Sequence, residues 1–186
     1  MNGGRTVDYG IVRRVDYISI TDTYSPLANR RAFFDASYTL PPAMCECYVQ
    51  NENARTPAEF ATMLRSGMMG WCTIMCDTTQ WTKEQHAIAR RQFSLYKTRL
   101  RSLIRSGNLY HASARPDGVH WDGIQYADPA GRSAALMAFR GSADEKSHLF
   151  PLRGLQPNAR YRVSFEDGTE ASFVRSGREL TGGGRT

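Results

Sequence analysis

The sequence predicts an α/β segment followed by an all-β segment, and three features carry that prediction. Short apolar runs at 17–21, 43–49 and 69–75 alternate with clearly marked helix starts over the first 107 residues. Beyond Gly107 the runs alternate or shorten, and turn sequences separate them. The opening, residues 1–31, sets a Gly3-Gly4-Arg5 turn before a helix-length segment and then a β-branched run ending in Asp22. Strands alternating with helices are how βα units around a parallel sheet read. In an enzyme barrel made of such units, the active-site acids sit at the C-terminal ends of the strands.

Ser25-Pro26 is an N-cap and N1 pair that opens a helix through Leu27, Arg30, Arg31 and Phe34. Thr56-Pro57-Ala58-Glu59 is a capping box with proline at N1, leading into Phe60, Met63 and Leu64. Thr82-Lys83-Glu84-Gln85 is a second capping box. It begins the longest helix, whose apolar positions Ile88, Phe93, Leu95, Tyr96, Leu100, Leu103 and Ile104 run to a stop at Gly107. The boundary falls at 107–110. Runs at 119–126, 134–139, 161–165 and 171–174 then form an antiparallel β part. Its turns are Arg115-Pro116-Asp117-Gly118, Asp128-Pro129-Ala130-Gly131 and Glu166-Asp167-Gly168-Thr169, with a hairpin expected at Asp167-Gly168. The expected division is therefore 1–107 and 108–186.

A chain of 186 residues can bury one good core or two small ones. A closed eight-stranded barrel takes about 250 residues, far more than the 107 available here. The α/β part is thus expected to be part of a barrel, with an unpaired parallel edge and an uncovered face. Such a piece should be unstable alone, which points to truncation.

Hydrophobic content of 41% and charge of 23% are ordinary for a soluble globular protein. No apolar run approaches the roughly 20 residues of a bilayer span, so no membrane partner is expected. Asn2-Gly3-Gly4-Arg5 does not read as a signal peptide, and the expected location is the cytoplasm. The net charge of +6 comes from arginines outnumbering lysines 21 to 3 and spread from Arg5 to Arg185. Coding bias produces such a skew as readily as selection for a partner. Arg90, Arg91, Lys97, Arg99, Arg101 and Arg105 cluster on one predicted helix, where a solvated face is the expectation and a phosphate-binding stripe the alternative. Cys45, Cys47, Cys72 and Cys76 lie in apolar runs rather than on turns, so reduced, buried thiols are expected and no metal or cofactor. The histidines share no metal-ligand spacing.

Asp22 is the chemistry-bearing candidate. Spacing alone leaves two roles open, a carboxylate at a barrel mouth or a cap for the next loop or helix. Trp71 offers either a stacking face for a sugar or a core side chain.

Several segments resemble the melibiase-type α-galactosidases, glycoside hydrolase family 36 of clan D. In that family a Gly-Gly-Arg-x-x-Asp segment, matched here by residues 3–8, precedes a strand carrying the acid/base carboxylate. The matching strand ends in Ser-Asp, where this chain has Thr21-Asp22, and an arginine follows on the next helix, where this chain has Arg30. Arg65-Ser66-Gly67-Met68-Met69-Gly70 and the apolar run after it are similar to the last barrel strand. Residues 96–110 look like the final barrel helix and exit, and residues 152–161 and 176–180 resemble the C-terminal β-sandwich.

The resemblance implies the C-terminal half of a (β/α)8 TIM barrel followed by an antiparallel β-sandwich. It implies a retaining hydrolase of terminal α-galactosides with Asp22 as acid/base, the nucleophile lying upstream of this chain. Gly3, Gly4, Arg5, Arg30 and Trp71 are then the substrate-binding candidates. The implied partner is an α-galactoside oligosaccharide, with a homo-oligomer possible for the full-length enzyme and no nucleic acid. Alone, the chain is expected to be inactive. A non-catalytic carbohydrate-binding module presenting Trp121 and Tyr126 is the competing expectation, and a basic nucleic-acid-binding protein a third.

Overall fold

Helix caps decide where the first half of the chain turns. The structure, a computed structural model, describes residues 7–22, 25–50, 54, 56–168 and 170–182. Asp8 caps the short helix α1 (Tyr9–Val12), its carboxylate accepting from the Ile11 amide at 2.9 Å. After strand β1 (Ile18–Ser19), Ser25 caps α2 (Pro26–Ala36), with Pro26 in its first turn. Strand β2 (Cys45–Val49) leads to α3 (Pro57–Ser66), which starts on the complete Thr56–Glu59 capping box. Strand β3 (Trp71–Ile74) is followed by α4 (Lys83–Leu95), which starts on the Thr82–Gln85 box. All three helix starts fall where the sequence predicts them.

The three strands form a parallel sheet in the order β1-β2-β3, with Ser19 opposite Glu46 and Glu46 opposite Trp71. One face is packed by helices: Phe33, Phe60 and Leu64 join Cys45, Cys47 and Val49 in the core. The turn from α3 back into the sheet is tight. A Cβ on Gly70 would lie 2.4 Å from the Cys45 carbonyl oxygen, so only glycine fits there.

The long helix is not the uninterrupted α-helix that its periodicity predicts. A π-helical segment, Tyr96–Leu100, separates α4 from α5 (Arg101–Ser106). The extra residue in that turn accompanies a tertiary tie: the Tyr96 hydroxyl donates to Gly70 O at 2.8 Å and accepts from Cys72 N at 3.3 Å. The helix register yields so that this tyrosine can reach the start of β3.

In the second half, β4 (Asn108–His111), β5 (Asp122–Ala127) and β6 (Ala134–Phe139) form an antiparallel sheet. Strand β4 occupies the stretch expected to be a boundary. A separate antiparallel pair, β7 (Arg160–Val163) and β8 (Phe173–Ser176), is followed by α6 (Gly177–Thr181). The pair ends at Val163 and Phe173, so its connection is longer than the tight hairpin expected at Asp167-Gly168. The tip is held by other elements: Arg91 donates to Glu166 O, and Arg65 lies 3.9 Å from Asp167.

The architecture is mixed α/β with three small sheets, and the described residues form no closed barrel. A single apolar cluster runs through both halves, from Phe33 and Phe60 to Ile124, Tyr126, Met137 and Phe139. Polar ties reinforce it. The Tyr126 hydroxyl donates to Met69 O at 2.6 Å. Arg30 on α2 meets Asp122 on β5 through two bonds of 2.9 and 3.0 Å, with its guanidinium 4.5 Å from the centre of the Phe139 ring. Burial pushes the Asp122 carboxyl up and Arg30 pulls it back only in part. Asp122→Ala should cost about 3–5 kcal/mol in denaturant unfolding, because it strands a buried guanidinium.

His111 on β4 is a second tie. Its Nε2 lies 2.9 Å from Ser37 Oγ, and its ring stacks on Tyr38 at 4.1 Å. Burial holds its pKa below the usual 6.5. The neutral ring is therefore the one that fits, and stability is lost as pH falls below that value. Between about pH 7 and 5 the thermal midpoint should drop less for His111→Asn than for the unsubstituted chain.

Candidate active site

Alternation along the strands gives the parallel sheet two chemically different faces. Ile18, Cys45, Cys47, Val49 and Cys72 point to the helices. Ser19, Glu46, Tyr48, Trp71 and Thr73 share the opposite face, as their register requires. That second face is polar and internally bonded. Thr73 Oγ1 donates to Glu46 Oε1 at 2.8 Å, Ser19 Oγ and Tyr48 Oη are bonded, and Ser19 Oγ lies 3.4 Å from Thr21 O. Glu46 and Tyr48 are only 6% and 9% exposed. Burial is the main cause that raises the Tyr48 phenol pKa, and the negative charges of Glu46 and Asp22 add to it.

Asp22 is exposed three residues beyond β1, on the C-terminal side of the sheet and ahead of α2. The cap of α2 is Ser25, which accepts from Ala28 N at 3.2 Å. Capping this helix is therefore not the task of Asp22. In open parallel sheets that strand-end position is where ligands bind.

The other predicted residues are placed differently. Gly3, Gly4 and Arg5 lie outside the described residues. Arg30, expected at the substrate, is 6% exposed and turned to Asp122, with Nη1 also 3.3 Å from Ser66 Oγ. Its donors serve the join between α2 and β5. Trp71 is 42% exposed and stacked on Tyr17, with ring centres 5.1 Å apart. It begins β3, in the row of Ser19 and Glu46, so about 10 Å of strand separates its row from Asp22. Arg30 is tied to Asp122, and Trp71 stacks on Tyr17. For the binding-module alternative, Tyr126 is fully buried and presents no face to a ligand.

Sequence inspection overlooked Ser19, Glu46, Tyr48 and Thr73. Their signal was a polar residue at every second position inside the apolar runs, Glu46 and Tyr48 interleaved with Cys45, Cys47 and Val49.

A polar sheet face with a strand-end carboxylate on an α/β scaffold is an arrangement common to enzymes built on parallel sheets. No family model and no curated protein matches this sequence. Solved structures do share its fold, among them family 36 α-galactosidases. The galactosidase domain of the α-galactosidase–sucrose kinase AgaSK superposes with a TM-score of 0.77 at 19% identity, over 96% of this chain and 24% of that one. The family 36 α-galactosidase AgaB from Geobacillus stearothermophilus gives 0.75 at 20% identity, over 92% of this chain and 23% of that one. AgaA from the same organism, in complex with 1-deoxygalactonojirimycin, gives 0.69 at 20% identity over 86% of this chain and 22% of that one. The chain spans about a quarter of the length of these proteins.

The contrast between Asp22 and Ser25 is measurable. Ser25→Ala should cost about 1 kcal/mol of stability as a lost N-cap. Asp22→Asn should stay within about 0.5 kcal/mol, as an exposed substitution outside a cap does.

Proposed function

We propose that this chain is a region of a retaining glycoside hydrolase of the family 36 α-galactosidase type, acting on terminal α-linked galactose, with Asp22 as its acid/base. Residues 1–107 supply the C-terminal half of the (β/α)8 barrel and residues 108–186 the antiparallel β-sandwich. The observation that carries this is the position of Asp22, past the C-terminal end of a parallel strand whose open face is polar, in a fold shared with those enzymes. The open edges of β1 and β3 are then completed by further βα units.

In such a double displacement a carboxylate from one of those units attacks the anomeric carbon. Asp22 gives its proton to the departing glycosidic oxygen. In the second half Asp22 takes a proton from water, and the water oxygen displaces the enzyme carboxylate from the same carbon with overall retention. Retaining pairs stand about 5 Å apart. Gly3, Gly4 and Arg5, outside the described residues, remain its substrate-binding candidates, the glycines because they would permit close approach of the sugar. Arg30 acts one layer back, as the anchor of α2.

Two measurements test this. The 186-residue chain alone should not hydrolyse aryl α-galactosides, and robust turnover would contradict dependence on a nucleophile from elsewhere. Joined to the missing barrel units, the chain should turn over. Asp22→Asn should then lose about 10²–10⁴-fold on substrates with poor leaving groups and much less on activated ones. Equal losses on both would remove the acid/base role.

A further inference from the structure

The polar face of the parallel sheet carries an array that the catalytic reading does not use. Glu46 on β2 is a buried acceptor that takes the Thr73 hydroxyl at 2.8 Å, on the sheet face it shares with Tyr48. Tyr48 Oη and Ser19 Oγ are bonded, and because the one Ser19 proton is directed to the carbonyl of Thr21 at 3.4 Å, the phenol is the donor of that pair. The next residue is Asp22. From its backbone, Tyr48 is fixed again: Asn29 Nδ2 on α2 donates to Tyr48 O at 2.9 Å.

A buried polar array costs desolvation unless its members satisfy one another, and apolar filling is the cheaper way to close a sheet face. These groups are bonded in pairs across adjacent strands, Thr73 to Glu46 and Tyr48 to Ser19, and the second pair reaches the carbonyl of the residue before the candidate acid/base. We infer that Tyr48 is a positioning residue: with Ser19 and Glu46 it holds the end of β1 and thereby the aim of the Asp22 carboxylate. This rests on the assignment of Asp22 above. It adds that the carboxylate is aimed from the neighbouring strand and not by its own loop alone. The negative charge of Asp22 acting on the Tyr48 phenol accords with that proximity.

The test compares two galactose-shaped probes by titration calorimetry on the chain joined to further barrel units, where the proposed site is complete. One is neutral D-galactose. The other is 1-deoxygalactonojirimycin, whose protonated ring nitrogen gains affinity from a correctly aimed carboxylate. The unsubstituted protein should prefer the cationic probe, and Asp22→Asn should shrink that preference. Tyr48→Phe and Ser19→Ala should each shrink the preference about tenfold, the scale expected from a small misplacement. The double variant should shrink it no further, and Ser19→Thr should keep it. A merely structural role would lower the thermal midpoint or weaken both probes alike. If Tyr48→Phe and Ser19→Ala retain the full preference, the positioning role is overturned while Asp22 keeps its assignment. If Asp22→Asn retains the full preference, the assignment of Asp22 falls and the positioning role with it. Should Tyr48→Phe fail to fold, Ser19→Ala decides alone.

Discussion

The buried pair between Arg30 and Asp122 is the constraint on which the rest of the molecule depends. A guanidinium cannot remain in an apolar interior without a partner, and this one is closed on every side. The carboxylate takes two of its nitrogens, Ser66 takes a third, and the Phe139 ring lies against its face. Those contacts come from β5, α3 and β6, so satisfying a single side chain sets how the antiparallel sheet docks on the helical layer. Breaking one partner of such a pair costs far more than the pair itself contributes. Its value here lies in fixing geometry.

The neighbouring residue carries that geometry to the sheet. Asn29 donates to the carbonyls of Tyr48 and Ser66, so the helix anchored by Arg30 also pins β2 at the row holding the Tyr48 hydroxyl. The Tyr126 hydroxyl and the Tyr96 hydroxyl do the same from the other side, reaching Met69 and Gly70 at the entry to β3. The parallel sheet is thus clamped along its helix-facing side. Its polar face is left with carboxylate, phenol and hydroxyl groups.

The two faces divide the chemistry. On the packed face burial drives the Cys45 and Cys72 thiols up to about 12, so they stay protonated and serve as small apolar groups. On the other face the polar groups are bonded to one another and lead towards an exposed carboxylate. The excess of positive charge lies on the long helical segment. Residues 83–106 carry seven cations and one acid, equal to the whole net charge of +6, and Arg90, Arg91, Lys97, Arg99, Arg101 and Arg105 are all exposed.

Local order was written plainly in the sequence. Ser25-Pro26, Thr56-Pro57 and Thr82 start helices because a cap is a contact among residues three apart, and Asp22 could be singled out by its place after a β-branched run. The α/β-then-β organisation follows from periodicity for the same reason. What tertiary structure decided was partnership across distance. Arg30 looked like a ligand for substrate, yet Asp122, 92 residues away, claims it. The long helix breaks into a π turn because Tyr96 is tied to β3, and the last hairpin opens because Arg65 and Arg91 hold its tip. Trp71 and Asp22 sit in different rows because parallel register sets row position, and no local pattern encodes register. The array of Ser19, Glu46, Tyr48 and Thr73 was present only as alternation. It became a site once three strands were laid side by side.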